Sequence, residues 1–85
     1  MREFKYVIKD QLGIHARPAG MLAKMAKKYE SAIIIQKGDK KVQASQLLML
    51  MSLGVKHGEE VMITAQGSDE DTAYEELKNF FQTNL

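Results

Sequence analysis

Two segments near opposite ends of the chain alternate apolar and polar residues with a period of two, and this pattern limits the fold more than any other. The apolar positions are Phe4, Tyr6 and Ile8 in "EFKYVIK" and Val61, Ile63 and Ala65 in "EVMITAQG". Such alternation is typical of strands that bury one face and leave the other in water. A sheet of this kind tolerates antiparallel pairing, whereas an all-parallel sheet needs helices on both faces. We therefore expect an antiparallel sheet that is covered on one face.

The rest of the chain supplies two more strands and three helices. The runs "SAIIIQ" and "KVQA" flank the turn "KGDK" and predict a hairpin. Helical spacing of apolar residues predicts a first helix from Pro18 to about Lys28, and "SQLLMLMSLG" predicts a short second helix that ends at Gly54. A third helix is expected in "SDEDTAYEELKNFFQTNL", capped by Ser68 or Asp69. The predicted order βαββαβα is an α+β fold, in which three helices cover one face of a four-stranded antiparallel sheet.

Length and composition narrow the class of protein. With 85 residues and no break in composition, residues 1–85 are expected to form a single domain with a modest core. The absence of cysteine excludes disulfides and thiolate metal sites and favours a reducing compartment, so we expect a cytoplasmic protein without a bound metal. No apolar run is long enough for insertion into a membrane. A net charge of +1 gives no reason to expect a nucleic-acid partner.

The octapeptide "GIHARPAG", residues 13–20, holds the only proline of the chain at a strand-to-helix junction. Proline has no N–H and a helix-like φ, so it suits the first turn of a helix, where amides have no partner within the helix. His15 is then expected at or beside the N-cap, facing the amides of Ala16 and Arg17 and the positive end of the helix dipole. Arg17 adds a planar cation that can pair with phosphate oxygens. The helix N-terminus at Ala16, Arg17 and Pro18 is therefore predicted to bind an anion, with His15 as a phosphoryl acceptor.

The residues alone leave other functions open. A lone histidine in a small domain is more often a surface or capping residue than a nucleophile, and spacing does not decide between these roles. Besides a phosphoryl carrier, the chain fits a small hydrolase of phosphate or acyl-phosphate substrates, because an anion-binding loop with an arginine suits both. It also fits a regulatory adaptor that acts by binding other proteins.

The motif "GIHARPAG", the segment "MSLGV", the chain length and the order of elements together resemble the histidine-containing phosphocarrier (HPr) family of the bacterial phosphoenolpyruvate-dependent sugar phosphotransferase system. The resemblance implies an open-faced β-sandwich that acts as a carrier rather than an enzyme and has no cofactor. His15 would accept a phosphoryl group through Nδ1 from phosphorylated Enzyme I and pass it to sugar-specific IIA domains. Arg17 would orient the phosphoryl group. We expect the chain to be a monomer.

The segment "QLLMLM" leaves its helix almost no polar face. One side of the helix, Leu50 with Leu53, can enter the core, and the other can form a soft exposed patch beside the histidine. The alternative, that all of these apolar residues are buried, stays open. The resemblance implies that this helix and the first helix form the docking face for Enzyme I and the IIA domains. The docking residues expected on these grounds are Gly20, Lys24, Leu47, Leu48 and Met51.

Two positions depart from the pattern of the family that the chain resembles. The residue before Gly13 is Leu12, where members often have a polar side chain. The position of the regulatory serine of many Gram-positive members holds Gln46, whose amide cannot take up a phosphoryl group, and Ser45 is the possible substitute one residue earlier. We therefore expect the chain to escape control by a serine kinase.

Overall fold

Four strands form a single antiparallel sheet in the computed structural model, which covers residues 1–85. The strands are β1 (Arg2–Val7), β2 (Ala32–Lys37), β3 (Lys40–Gln43) and β4 (Glu60–Gln66), and they pair in the order β1-β4-β2-β3. The helices are α1 (Ala16–Ala26), α2 (Leu47–Ser52) and α3 (Glu70–Asn84), and none of them has the length and hydropathy of a membrane span. The predicted order βαββαβα and the antiparallel pairing are confirmed.

One row of residues across the sheet shows how its inner face is buried. Phe4 of β1 lies opposite Ile63 of β4, Ile63 lies opposite Ile35 of β2, and Ile35 lies opposite Val42 of β3. The last three are buried, and Phe4 packs against the same core cluster. Helix α3 covers this face with a buried stripe of Ala73, Leu77, Phe80 and Phe81. The alternate positions of β1 are exposed on the other face, which confirms the open-faced sandwich.

Helix α1 begins two residues before Pro18, the residue predicted to mark its start, and His15 takes the N-cap position expected for it. Its first residue is Ala16, so Pro18 is the third residue of the helix and not its first. The first backbone hydrogen bond of the helix runs from the Ala19 N–H to the His15 carbonyl oxygen, at 2.9 Å. An N–H at Pro18 would have had no partner in the helix, so proline is tolerated there. The helix also ends two residues short of the prediction, at Ala26.

The start of α3 is tied to the loop before β2. Asp69 occupies the N-cap position, but its carboxylate makes no capping hydrogen bond to α3. It accepts hydrogen bonds instead from the N–H groups of Glu30 and Ser31, both at 2.9 Å, and from the Ser31 hydroxyl. The Ser31 hydroxyl, together with the Glu30 N–H, holds the pKa of the Asp69 carboxyl below its usual value. Of the two residues predicted to cap α3, Ser68 and Asp69, the structure puts Asp69 at the N-cap, but the expected capping hydrogen bond is absent.

Candidate functional site

His15 lies at the N-cap of α1, and its side chain does not cap the helix. Its backbone is extended, with φ −104° and ψ 179°, and its ring makes no capping hydrogen bond. The side chain is 34% exposed. Ala16 and Arg17 follow in the first turn, where amides have no acceptor inside the helix. The structure thus brings His15, Ala16 and Arg17 to the positive end of an eleven-residue helix, where an anion is favoured.

The loop that carries His15 packs against the loop after α2. The Ile14 N–H donates to the Val55 carbonyl oxygen at 3.0 Å, and both side chains are buried. Gly13 has φ +69°, and a Cβ at this position would lie 2.3 Å from the Val55 carbonyl oxygen and 2.7 Å from the Lys56 Cα. Glycine is the residue that tolerates both the positive φ and the close contact. The backbone ahead of His15 is therefore fixed by the neighbouring loop.

Asp10 is the acidic residue within ion-pair distance of the His15 ring. Its Oδ2 lies 3.7 Å from His15 Nε2, and its Oδ1 accepts a hydrogen bond from the Leu12 N–H at 2.8 Å. The Leu12 side chain itself is 72% exposed. The sequence prediction missed Asp10. The available signal was an aspartate placed to bond the amide two residues on, just ahead of a glycine turn.

A cleft of about 230 Å³ lies beside the ring. It is lined by Asp10, His15, Arg17, Pro18, Met21 and Asn84. Arg17 is exposed and takes part in none of the ion pairs of the molecule, so its guanidinium is free to bind a ligand. A larger groove of about 350 Å³ runs between α1 and α3, but it holds no histidine and no arginine. The chemistry, rather than the size of the cavity, points to the smaller cleft.

One side of α2 is apolar and exposed. We call Leu47, Leu48 and Met51 the α2 patch; all three are exposed, Leu48 to 83%, whereas Leu50 and Leu53 are buried. The alternative in which every apolar residue of this segment belongs to the core is therefore wrong. Met49 is exposed as well, which the sequence prediction did not single out.

Helix α1 supplies the other residues predicted to dock partners. Lys24 is exposed and Gly20 is half-buried. Met21, also exposed, lines the cleft beside His15. Because α1 and α2 are in contact, these side chains and the α2 patch belong to neighbouring elements.

Lys37 of β2 holds the C-terminal end of α2. Its Nζ donates to the carbonyl oxygens of Leu53 and Gly54, at 3.3 and 3.0 Å, and lies 3.0 Å from Glu59 Oε1. A cation is favoured there because the carbonyl end of a helix is negative. Glu59 also accepts the Lys56 N–H at 2.7 Å, and this bond, with the Lys37 ammonium, lowers the pKa of the Glu59 carboxyl.

Three further positions of interest lie outside the cleft. Gln46 is the N-cap residue of α2; it is exposed, and its side chain makes no capping hydrogen bond. Ser45, just before it, is half-buried. The second histidine, His57, lies in an exposed turn, where its Nδ1 is 3.2 Å from the Lys9 carbonyl oxygen.

Known proteins are similar to this chain along nearly its whole length. The family model described as the PTS HPr component phosphorylation site matches residues 2–83. Phosphocarrier protein HPr of Mycoplasma genitalium is 38% identical over 85 residues, which cover 99% of this chain and 97% of the relative. The HPr-like protein Crh of Bacillus subtilis is 38% identical over 85 residues, which cover 100% of both chains. The crystal structure of HPr-C-His from Thermoanaerobacter tengcongensis has a TM-score of 0.92 and 38% identity over 98% of this chain and 93% of that chain.

Proposed function

Because the chain belongs to the HPr family of phosphocarrier proteins, we propose that His15 carries a phosphoryl group between two proteins of the sugar phosphotransferase system. The donor is Enzyme I, phosphorylated from phosphoenolpyruvate, and the acceptors are the IIA domains of sugar permeases. The observation that carries this proposal is the position of His15, a partly exposed imidazole at a helix N-cap whose ring makes no capping hydrogen bond.

The transfer needs a nucleophilic ring nitrogen and a place for the charge of the phosphoryl group. Nε2 of His15 faces Asp10, so Nδ1 is the nitrogen that attacks phosphorus. A P–Nδ1 bond forms while the bond between phosphorus and the donor breaks, and the donor keeps the electron pair of that bond. The amides of Ala16 and Arg17 and the helix dipole stabilise the bound phosphoryl group. The Arg17 guanidinium can bind two of its oxygens in parallel.

In this proposal the chain is a carrier and not an enzyme. The phosphohistidine is the product of one partner and the substrate of the next, so the partners supply the remaining catalytic groups. The chemistry requires no cofactor. We place the exchange in the cytoplasm, which is the compartment that a chain without cysteine favours.

Both partners are proposed to dock on the face formed by the α2 patch together with Gly20 and Lys24 of α1. An exposed cluster of large apolar side chains is a common sign of a protein-binding surface. Leucine and methionine side chains adapt to partners of different shape, methionine most of all, which suits a surface that serves several proteins in turn. Lys24 adds a positive charge that favours an acidic partner surface.

A regulatory role is the second candidate, and the similarity to Crh favours it. A solved structure of Crh describes it as the Bacillus subtilis catabolite repression containing protein. A regulatory adaptor would bind its partners through the same exposed face and would not need the His15 ring. The two candidates therefore differ in whether Enzyme I phosphorylates the chain.

The deciding experiment adds Enzyme I and phosphoenolpyruvate to the purified chain and follows its intact mass. One phosphoryl group per chain is expected, labile in acid and stable in base as phosphoramidates are. His15→Ala should abolish the label, whereas His57→Ala, the matched control, should keep it. A labelled His15→Ala variant contradicts the assignment. A chain that stays unlabelled but still binds partners through the α2 patch supports the regulatory role.

A further inference from the structure

Asp10 distinguishes the two nitrogens of the His15 ring. Its Oδ2 lies 3.7 Å from Nε2, which is an ion-pair distance rather than a hydrogen-bond distance. A neutral imidazole carries its proton on one nitrogen and a lone pair on the other, and the neighbouring groups decide which is which. A carboxylate attracts an N–H and repels a lone pair. The nitrogen that faces Asp10 is therefore the one that keeps the proton.

The place of this carboxylate is set by other bonds. Oδ1 of Asp10 accepts the Leu12 N–H at 2.8 Å, and the Asp10 carbonyl oxygen accepts the Gly13 N–H at 3.0 Å. The Asp10 N–H donates to the Leu85 carbonyl oxygen at 2.8 Å. Oδ2 is left free on the side of the ring. Because the Asp10 side chain is only 30% exposed, water screens its charge incompletely.

The cleft offers no other negatively charged side chain beside the ring. Its remaining charged side chain is Arg17, and its remaining polar side chain is the neutral amide of Asn84. A guanidinium is always protonated and cannot accept a hydrogen bond. The Arg17 guanidinium therefore attracts a ring nitrogen that carries a lone pair, and it repels a ring nitrogen that carries a proton. Asp10 is thus the anion of the cleft, and its Oδ2 is the oxygen that faces Nε2.

We propose that Asp10 is a positioning residue that keeps the ring proton of His15 on Nε2 throughout the phosphoryl cycle, an inference that rests on the proposed carrier function. Before transfer, this tautomer presents the lone pair of Nδ1 to phosphorus. Attack forms the P–Nδ1 bond, the donor leaves with the electron pair of the broken bond, and the ring, still holding Nε2–H, becomes a cation beside the carboxylate. Onward transfer breaks the P–Nδ1 bond and returns its electron pair to Nδ1.

The proton count is the same at every stage of this cycle, because Nε2–H neither leaves nor is replaced. A ring that keeps Nε2–H leaves phosphorus as a neutral imidazole, which is a better leaving group than the imidazolate released by a ring without that proton. By keeping the proton on Nε2, the carboxylate therefore favours the second transfer as well as the first. Carboxylates hold the tautomer of an imidazole in this way in hydrolase triads and beside metal-binding histidines. Asp10 thus acts through His15 and touches no substrate itself.

The test replaces the carboxylate by an amide, Asp10→Asn, in the full chain. The amide oxygen can still accept the Leu12 N–H, so the turn is retained while the charge is removed. Nitrogen NMR of the unphosphorylated, ¹⁵N-histidine-labelled protein reports which ring nitrogen carries the proton. We expect the Nε2–H tautomer to dominate in the wild-type chain and a mixture of both tautomers in the variant. The rate of labelling by Enzyme I should fall by roughly tenfold, the lower end of the loss seen when the carboxylate behind a metal-binding histidine is removed.

Asp39→Asn is the matched control, because Asp39 is an exposed carboxylate in the turn between β2 and β3. If Asp10→Asn does not fold, Asp10→Ser serves instead, since its hydroxyl can also accept the Leu12 N–H. An unchanged tautomer ratio in the folded variant overturns the proposal, even where the labelling rate falls. Failure of Enzyme I to label the wild-type chain contradicts the carrier function instead. The tautomer measurement needs no partner and still decides the effect of Asp10.

Discussion

Gly13 and Val55 touch through their backbones, because a Cβ on residue 13 would lie 2.3 Å from the Val55 carbonyl oxygen. Gly13→Ala is therefore expected to lower the free energy of unfolding in two ways, through strain at φ +69° and through this clash. The strain alone costs on the order of 1–3 kcal/mol. Urea denaturation of the variant and the wild-type chain measures the total.

Gly38→Ala is the matched control for this prediction. Gly38 also has a positive φ, +59°, but a Cβ there meets nothing within 4 Å. Its substitution should show the strain without the clash, so the loss of stability should be smaller than for Gly13→Ala. Equal losses in the two variants would mean that the loop around Val55 moves aside without cost.

Arg17→Ala is expected to slow the labelling of His15 by Enzyme I without weakening the fold. The guanidinium is exposed and forms no ion pair, and substitutions at such sites usually change stability by less than about 0.5 kcal/mol. Lys41→Ala, at an exposed cation of β3, controls for the loss of one positive charge. Quench-flow experiments measure the rate at which His15 is labelled, and thermal unfolding measures the stability of the fold. Labelling at the wild-type rate would remove Arg17 from the mechanism.

Leu48→Glu is expected to weaken the binding of Enzyme I while the fold survives, because this side chain is 83% exposed. Val7→Glu places the same charge at an exposed apolar position of β1 and should leave binding unchanged. Leu50→Glu, by contrast, buries a charge in the core and should unfold the chain. Heteronuclear NMR spectra, recorded with and without Enzyme I, separate loss of binding from loss of structure. Wild-type binding by Leu48→Glu would exclude it from the docking face.

Gln46 carries no hydroxyl, so the chain is expected to remain unmodified when an HPr serine kinase and ATP are added. Gln46→Ser supplies a hydroxyl at the N-cap of α2 and should gain one acid-stable phosphate. Such a group adds roughly −1.5 to −2 charge beside the α2 patch, which should weaken binding to acidic partner surfaces. Intact mass with peptide mapping gives the result. A phosphate on Ser45 of the unchanged chain would show that the regulatory site has moved by one residue.

Asp69→Asn should make the stability of the fold less dependent on pH. Hydrogen bonds from Ser31 and Glu30 lower the pKa of Asp69 in the folded state, so its carboxylate stabilises the fold above the unfolded pKa. This contribution is lost as the pH falls through the folded pKa. The variant should therefore be less stable than the wild-type chain at neutral pH, and the gap should close below about pH 3.9, the usual aspartate value. Thermal unfolding over a pH series measures the stability difference at neutral pH and its loss at low pH, and Asp39→Asn is the control.

The strands and helices could be predicted from the sequence because their patterns are local. Alternate burial in β1 and β4 depends only on neighbouring residues, and the same holds for the apolar stripe of α3. The start of α1 is not fixed by such a pattern, because proline is compatible with several positions of a first turn. Its presence at residue 18 therefore indicates a helix N-terminus without fixing the N-cap at His15.

The contacts around the site were harder to predict because they join segments that only the fold brings together. The carboxylate of Asp69 is a good capping group by its chemistry, and nothing local shows that Ser31 takes it instead. Lys37 reaches α2 from a strand sixteen residues away in sequence from Leu53. Asp10 is near His15 in sequence, but the turn at Gly13 decides that its free oxygen faces the ring.

Helix α2 is only six residues long, and a helix of that length does not persist in water by its own hydrogen bonds. It is held from outside, by Lys37 at one end and by Leu50 in the core. The backbone amides of α2 should therefore exchange with solvent sooner than those of the sheet. A partner that binds there must also order the helix, and this entropic cost lowers the affinity of the complex. A carrier must dissociate from one protein before it can bind the next. The low local stability of α2 therefore suits weak, transient binding better than tight binding.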